Sequence, residues 1–517
     1  RSTLSSSSAA SDVYKRQHLK KGDKVSVIGK NSVNWGIVYL SSLMYGTVIV
    51  PILSDFHPND VQHIINHSDS KLLFCSEQVF ESMDESTLGE VEAIFSLKDF
   101  RFLYSPKKNF ANTLEKIDEK FDEKFGKSFT PDEFILPKLD NNDLAAIVYT
   151  SGTTGFSKGV MLQYKSLLSN LIFARINMPL EAGDQIVSFM PLAHAYGCAF
   201  EFLFPLTLGC HIHFLGKVPS PKVLLKAFDE IKPRLVLSVP LILEKIYKKQ
   251  VKPTLDKGMI KFSMKIKPLK NILHKKICDK LNNVFGNNFR EIVIGGASLN
   301  EEVEGFLRQI GFRYTVGYGM TECGPLISYT GYKTHKFGGV GTAVINMEVK
   351  IDSQNPTKEV GEILTRGENV MKGYYKNEEE TKRVIDNAGW LRTGDLGLMD
   401  EDGFIFIKGR SKSLILGPSG QNIYPEEIEA KLNNMPLVQE SLILEKEGRL
   451  IGLVYPDYDM IDSKRFDEEK IKEQIEENRK ILNEQLPKYS QITKIDLYPE
   501  EFEKTPTKKI KRFRYTI

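Results

Sequence analysis

Tyr149-Thr150-Ser151-Gly152-Thr153-Thr154-Gly155-Phe156-Ser157-Lys158-Gly159 is the stretch on which the reading of this chain turns. It follows Leu144-Ala145-Ala146-Ile147-Val148, an apolar run short enough to be a buried strand. Behind it, Val160-Met161-Leu162 and a periodic segment through Ile176 read as a helix. Strand, Gly/Ser/Thr loop, lysine and helix make the layout of a phosphate cradle. Glycines let backbone N–H groups approach oxygens closely, hydroxyls donate further bonds, and Lys158 adds a positive charge. A polar surface turn is the plainer alternative, but three Thr, two Ser, three Gly and a Lys within these eleven residues are more than a turn requires. The spacing is not that of a Walker A loop, in which Lys follows Gly and precedes Ser or Thr; here Ser157 precedes Lys158 and Gly159 follows it.

Upstream, Val25–Ile28, Thr47–Ile52 and Lys71–Cys75 read as strands, alternating with helical patterns around Trp35–Leu43 and Asn59–Asn66. Continuous apolar strands alternating with helices predict an α/β fold, a parallel sheet covered on both faces. Residues 1–17 lack an initiating Met and the apolar stretch of a signal peptide, and read as a non-native, adapter-like leader before a truncated start. Leu114–Gly126 is charged and reads as a solvated helix. With 517 residues, 41% of them hydrophobic, there is apolar material for more than one domain, and a net charge of +3 selects no nucleic-acid partner. Five scattered cysteines without a C-x-x-C pair read as reduced residues of a cytoplasmic protein.

Downstream, more segments carry chemistry. Ile292-Val293-Ile294 runs into Gly295-Gly296-Ala297, small residues that leave room for a flat ligand against the backbone. Tyr318-Gly319-Met320-Thr321-Glu322 offers an aromatic face, a hydroxyl and a hard carboxylate oxygen suited to Mg²⁺. Trp390-Leu391-Arg392-Thr393-Gly394-Asp395 ends in a carboxylate able to accept both hydroxyls of a ribose. His194, in Pro191-Leu192-Ala193-His194, is by itself as compatible with a structural role as with a pocket.

Thr150–Gly159 closely resembles the signature loop of the acyl-adenylate-forming superfamily, and the Tyr-Gly-x-Thr-Glu and Thr-Gly-Asp segments match further motifs of it in the same order. Ser157 stands where relatives usually have Pro, Lys508 where they have Gly, and Ser413 where most have an acid or amide. The resemblance implies a large N-terminal adenylation domain over 18–409, with parallel-sheet α/β subdomains, and a small mobile α+β C-terminal domain over 410–517. It implies ATP and AMP contacts at Thr150, Ser151, Gly152, Thr153, Thr154, Gly155, Gly296, Ala297, Tyr318, Gly319, Thr321, Asp395 and Arg410. His194, Gly295 and Gly319 would border the acyl pocket, Glu322 would hold Mg²⁺, and Lys158 and Lys509 would serve catalysis. Lys412 would be the hinge and Gly420 would line the channel for coenzyme A. The chain is most similar to bacterial AMP-forming long-chain fatty-acid–CoA ligases, with ATP and CoA as co-substrates. Transfer to an acyl-carrier protein, and a non-catalytic nucleotide or lipid sensor, are the alternatives.

Lys245–Lys280 holds twelve lysines against Asp256 and Asp279, interleaved with apolar residues. It reads either as solvated surface helices or as a basic amphipathic surface that rests on anionic lipid at the inner face of a membrane.

Overall fold

In the computed structural model, the residues described are 19–106, 137–150, 158–217, 219–255, 257–417, 421–505 and 510–515. The leader, the Leu114–Gly126 segment, the loop Ser151–Ser157, Gly420 and Lys509 lie outside them.

The largest sheet has eight strands in the order Gly373–Tyr374, Lys158–Gln163, Leu144–Thr150, Val48–Ile52, Lys24–Ile28, Ser70–Cys75, Ala93–Ser96 and Phe102–Tyr104. Its centre is parallel and its two edges are antiparallel. The central strands are buried along nearly their whole length, as expected where helices cover both faces. The helix Val33–Tyr45 follows from its ends: the Ser32 side chain accepts from Trp35 N–H, and Gly46 closes it at φ 78°. It buries Trp35, Val38 and Tyr39, with Trp35 stacked on Tyr39 at 5.2 Å between centroids.

A second parallel sheet, Leu235–Ser238, Glu291–Ile294 and Tyr314–Val316, delivers the chain to Tyr318. An antiparallel sheet of Met347–Asp352, Gly361–Gly367, Leu391–Met399 and Ile405–Arg410 carries Asp395. Beyond Arg410 come a small hairpin and the sheet Val438–Lys446, Arg449–Pro456 and Ile492–Leu497, packed with the helices Pro425–Leu432 and Glu468–Glu484. The molecule is therefore a large α/β body followed by a smaller α+β one.

The sequence reading needs one correction at its central motif. Lys158–Gln163 is a strand antiparallel to Leu144–Thr150, and the helix begins only at Tyr164. A short apolar run such as Val160-Met161-Leu162 fits strand and helix periods equally, and tertiary pairing decides between them. The polar loop thus joins two strands, with Thr150 paired to Lys158 at its base.

Candidate active site

Lys158 opens its strand at the edge of the main sheet, and Gly373–Tyr374 adds to that edge with Tyr374 opposite Val160. Sheet order therefore sets Tyr374 beside Lys158, whose ammonium lies 5.0 Å from the centre of the Tyr374 ring and pairs with Glu380. The Tyr374 hydroxyl donates to Glu322 Oε1 at 2.9 Å. Burial, followed by the charge of Glu322, pushes the Tyr374 phenol well up, so it stays a donor. Burial works against ionisation of Glu380, yet Lys158 and Arg383 hold its carboxyl below the ordinary range. Lys158 and Glu322 thus meet through one tyrosine ring that the sequence reading did not single out. Its only local signal was the aromatic pair after Gly373.

Glu322 sits on the 3-10 turn Thr321–Cys323. Buried Asn170, on the helix Tyr164–Asn177, clamps this turn: its amide donates to the Cys323 carbonyl at 3.2 Å and its oxygen accepts from Leu326 N–H at 2.9 Å. Met371 N–H donates to the Glu322 carbonyl at 2.8 Å. A Cβ at Gly319 would lie 2.2 Å from the Pro325 carbonyl oxygen, so only glycine permits that approach. Tyr374 takes one oxygen of the Glu322 carboxylate. No group of three His, Cys, Asp or Glu able to hold a metal occurs among the described residues. One hard carboxylate suits Mg²⁺, which keeps water and phosphate oxygens as its other ligands.

A second cluster forms on the antiparallel sheet that carries Asp395. Asp395 is 4% exposed. Its Oδ2 accepts from the Tyr318 hydroxyl at 2.7 Å, and its Oδ1 faces Arg410 Nε at 2.9 Å. Asp395 and Arg410 are register partners on neighbouring strands, which explains the pairing. Tyr318 is 7% exposed, so the open aromatic face expected of it is largely covered and its hydroxyl is committed. Each carboxylate oxygen keeps a lone pair for a further donor.

Gly317 N–H donates to Ile294 O at 2.9 Å, which sets the Tyr318 segment against the strand ending in Gly295. Gly296 follows at φ 88° and, like Ala297, is exposed. A Cβ at Gly295 would lie 3.1 Å from the Tyr196 ring, whose hydroxyl donates to Val293 O at 3.0 Å. His194 caps the turn Ala195–Gly197, its Nδ1 accepting from Tyr196 N–H at 3.3 Å. The chain leading to His194 is pinned by two residues the sequence reading missed. Asn31 accepts from Leu192 N–H at 3.0 Å, and buried Glu201 accepts from Phe189 and Met190 N–H at 2.9 and 2.8 Å. Burial pushes the Glu201 carboxyl well above the usual carboxylate range.

Lys412 lies on the exposed 3-10 turn Ser411–Ser413. Lys509 is outside the described residues, but the base of its loop is placed: Lys504 and Ile510 form a β-bridge, and Arg512 holds Glu429 at 2.7 Å.

These features set a lysine and a carboxylate on one tyrosine ring, and a second carboxylate between Tyr318 and Arg410. Residues 6–375 match the model of the AMP-binding enzyme family, and the chain belongs to that family. It is 29% identical over 462 residues to the long-chain-fatty-acid–CoA ligase FadD15 of Mycobacterium bovis, covering 84% of this chain and 73% of the relative. To the chloroplastic long-chain-fatty-acid–[acyl-carrier-protein] ligase AEE15 of Arabidopsis thaliana it is 26% identical over 579 residues, covering 96% and 78%. Its fold is similar to that of the O-succinylbenzoate coenzyme A synthetase of Bacillus subtilis in complex with ATP and magnesium ion. That likeness has a TM-score of 0.74 and 19% identity, covering 99% of this chain and 93% of that one. The protein is an adenylate-forming ligase.

Proposed function

We propose that this protein activates a long-chain fatty acid with ATP and passes the acyl group to coenzyme A. In this reading the carboxylate attacks the α-phosphorus of ATP to give acyl-adenylate and pyrophosphate. The thiol of CoA then attacks the mixed anhydride, and AMP leaves. Chemistry of this kind needs positioning and charge stabilisation more than a nucleophilic side chain. Lys158 would meet phosphate oxygens, Asp395 and Arg410 would meet the ribose, and Glu322 would help to hold Mg²⁺, which would supply positive charge to the phosphates. The observation that carries the reading is the chain of contacts from Lys158 through Tyr374 to Glu322 at the base of the loop.

The acid and the acceptor are tested together by a panel from acetate to oleate, with AMP release as readout, given either CoA or an acyl-carrier protein. Release dependent on a long-chain acid and CoA is expected. Release dependent on the carrier protein would favour the second reading, which the relative AEE15 supports by its name. Nucleotide binding with no pyrophosphate release under any acid would leave a non-catalytic binder.

Tyr374→Phe removes one hydrogen bond to a charged group while keeping the ring beneath Lys158. The expected cost is about 1.5–3 kcal/mol, seen as a rise of roughly ten- to a hundredfold in the Mg·ATP concentration needed for half-maximal pyrophosphate release. An unchanged requirement would mean that Glu322 is oriented without the hydroxyl.

The acid is met at an anionic membrane surface. The lysine-rich stretch supports this through its apolar residues: Phe262, Ile266, Leu269 and Ile272 are 66%, 37%, 43% and 55% exposed. Lys257, Lys265, Lys267, Lys275 and Lys276 are exposed among them. A solvated helix gains nothing from four exposed apolar side chains, whereas a lipid surface buries them and attracts the lysines. Among the described residues, no helix is long and apolar enough to cross a membrane. Each lysine near such a surface is worth about 1 kcal/mol, and the attraction fades with salt. Changing Lys265, Lys267, Lys275 and Lys276 to Glu is therefore expected to abolish sedimentation with phosphatidylglycerol vesicles at low salt. Equal sedimentation of both proteins would return this stretch to an ordinary solvated surface.

A further inference from the structure

The lysines of Lys245–Lys280 fall into two populations, and those that do not face solvent do something different. The helix Pro425–Leu432 leaves carbonyl groups without intrahelical partners at its C-terminal end, as every helix does. Three of the carbonyls there and just beyond are taken by residues far earlier in the chain. Asn300 Nδ2 donates to Ala430 O at 3.1 Å, Lys248 Nζ to Asn433 O, and Lys252 Nζ to Asn434 O at 3.3 Å. Two ammonium groups thus stand at the negative end of the helix dipole.

Asn300 works at both ends of this contact. Its Oδ1 caps the helix Glu301–Gln309, accepting from Glu302 and Val303 N–H at 3.0 and 3.3 Å, and also accepts from Asn434 Nδ2 at 3.1 Å. One side chain therefore caps the start of one helix with its oxygen and the end of another with its amide. Glu244 accepts from Asn300 N–H at 3.1 Å, and Lys252 pairs with Glu302 at 3.0 Å, so the donors are themselves held. Burial lowers the Lys248 ammonium below the ordinary lysine range, against the pull of Glu244.

The contact is polar where the bodies on either side are apolar. The large hydrophobic cluster draws its buried residues from Leu19 to Ile405, and the two clusters beyond Arg410 draw theirs from Ile423 to Phe502, with no residue shared. Bodies with separate cores and a polar contact between them are free to part when that contact breaks.

We propose that Asn300, Lys248 and Lys252 form a releasable cap on the helix Pro425–Leu432, and are positioning residues that hold the body beyond Arg410 against the body before it. Lys249 and Asp459, 3.1 Å apart but both largely exposed, lie at the edge of the same contact and add little.

The test uses the full chain and does not depend on which acid is activated. Trypsin cutting after Arg410 and Lys412, mapped by mass, reports the freedom of the segment between the two bodies. Asn300→Asp keeps the oxygen that caps Glu301–Gln309, and improves it for the helix dipole, but sets an acceptor where Ala430 O needs a donor. Lys248→Met keeps the apolar stem and removes the ammonium. Each variant is expected to be cut about tenfold faster than the wild type, because cleavage follows the population of the open form. Lys249→Met should be cut at the wild-type rate, and the thermal midpoint of Asn300→Asp should not fall. Equal cleavage of all four proteins overturns the proposal, and so does fast cleavage of Asn300→Asp accompanied by a lower midpoint, which would make Asn300 merely structural. If the proposed function also holds, the two variants will change the ratio of adenylate formation to thioester formation. The cleavage result stands without it.

Discussion

Lys509→Ala is expected to cut formation of acyl-adenylate from ATP by about 10²–10³-fold, roughly 3–4 kcal/mol of transition-state stabilisation. The same variant, supplied with synthetic acyl-adenylate and CoA, is expected to form thioester at close to the normal rate. An ammonium delivered to the α-phosphate offsets charge that builds on it and on the bridging oxygen, a preorganised electrostatic effect needed only in the first half-reaction. The loop that carries Lys509 has its base secured: Lys504 is held by Glu440 at 2.7 Å, Ile510 bridges back to Lys504, and Arg512 donates to the Ile443 carbonyl at 2.8 Å. Single-turnover measurement of both half-reactions decides the matter. Equal damage to both would remove Lys509 from catalysis and leave Lys508 as the stronger candidate, since the ammonium of Lys511 is already paired with Glu503.

Glu322→Gln is the second large effect, a fall in adenylation on the order of 10²-fold at ordinary Mg²⁺ with the fold intact. Gln keeps an oxygen that can accept from the Tyr374 hydroxyl, and the turn is held through Asn170 and Met371, which bond to backbone atoms of Cys323, Leu326 and Glu322. What is lost is the negative charge that would hold Mg²⁺ against the phosphates. Partial recovery at high Mg²⁺ is expected, because weaker binding of the ion is then offset by its concentration. Unchanged circular dichroism together with full activity at ordinary Mg²⁺ would count against the assignment.

Between them, Lys158 and Glu322 also explain why a tyrosine belongs at position 374. A phenol is apolar enough to be buried against the sheet edge, and its ring face attracts the ammonium while its hydroxyl serves the carboxylate. Lys158 in addition carries Glu380 as a counter-charge, so its ammonium is already oriented.

The sequence by itself determined the parallel α/β core, the order of the nucleotide motifs and the family. Those properties are local: the alternation of buried strands with helices, and the residue types within one turn or strand end, need no knowledge of distant partners. The strand expected at Lys71–Cys75 and the helix around Trp35–Leu43 are present for that reason. Tertiary structure alone decided the rest. Val160-Met161-Leu162 became strand because Leu144–Thr150 offered a hydrogen-bonding edge, which no period in the sequence encodes. Glu380 reached Lys158 across 222 positions, and Tyr374 reached Glu322 across 52, because Gly373–Tyr374 adds to the edge of that same strand. Lys248 and Lys257 are the same residue type in the same basic run. One is half-buried against the end of a helix nearly two hundred residues away and the other faces water, since charge pattern specifies which groups can pair, while packing specifies which of them meet.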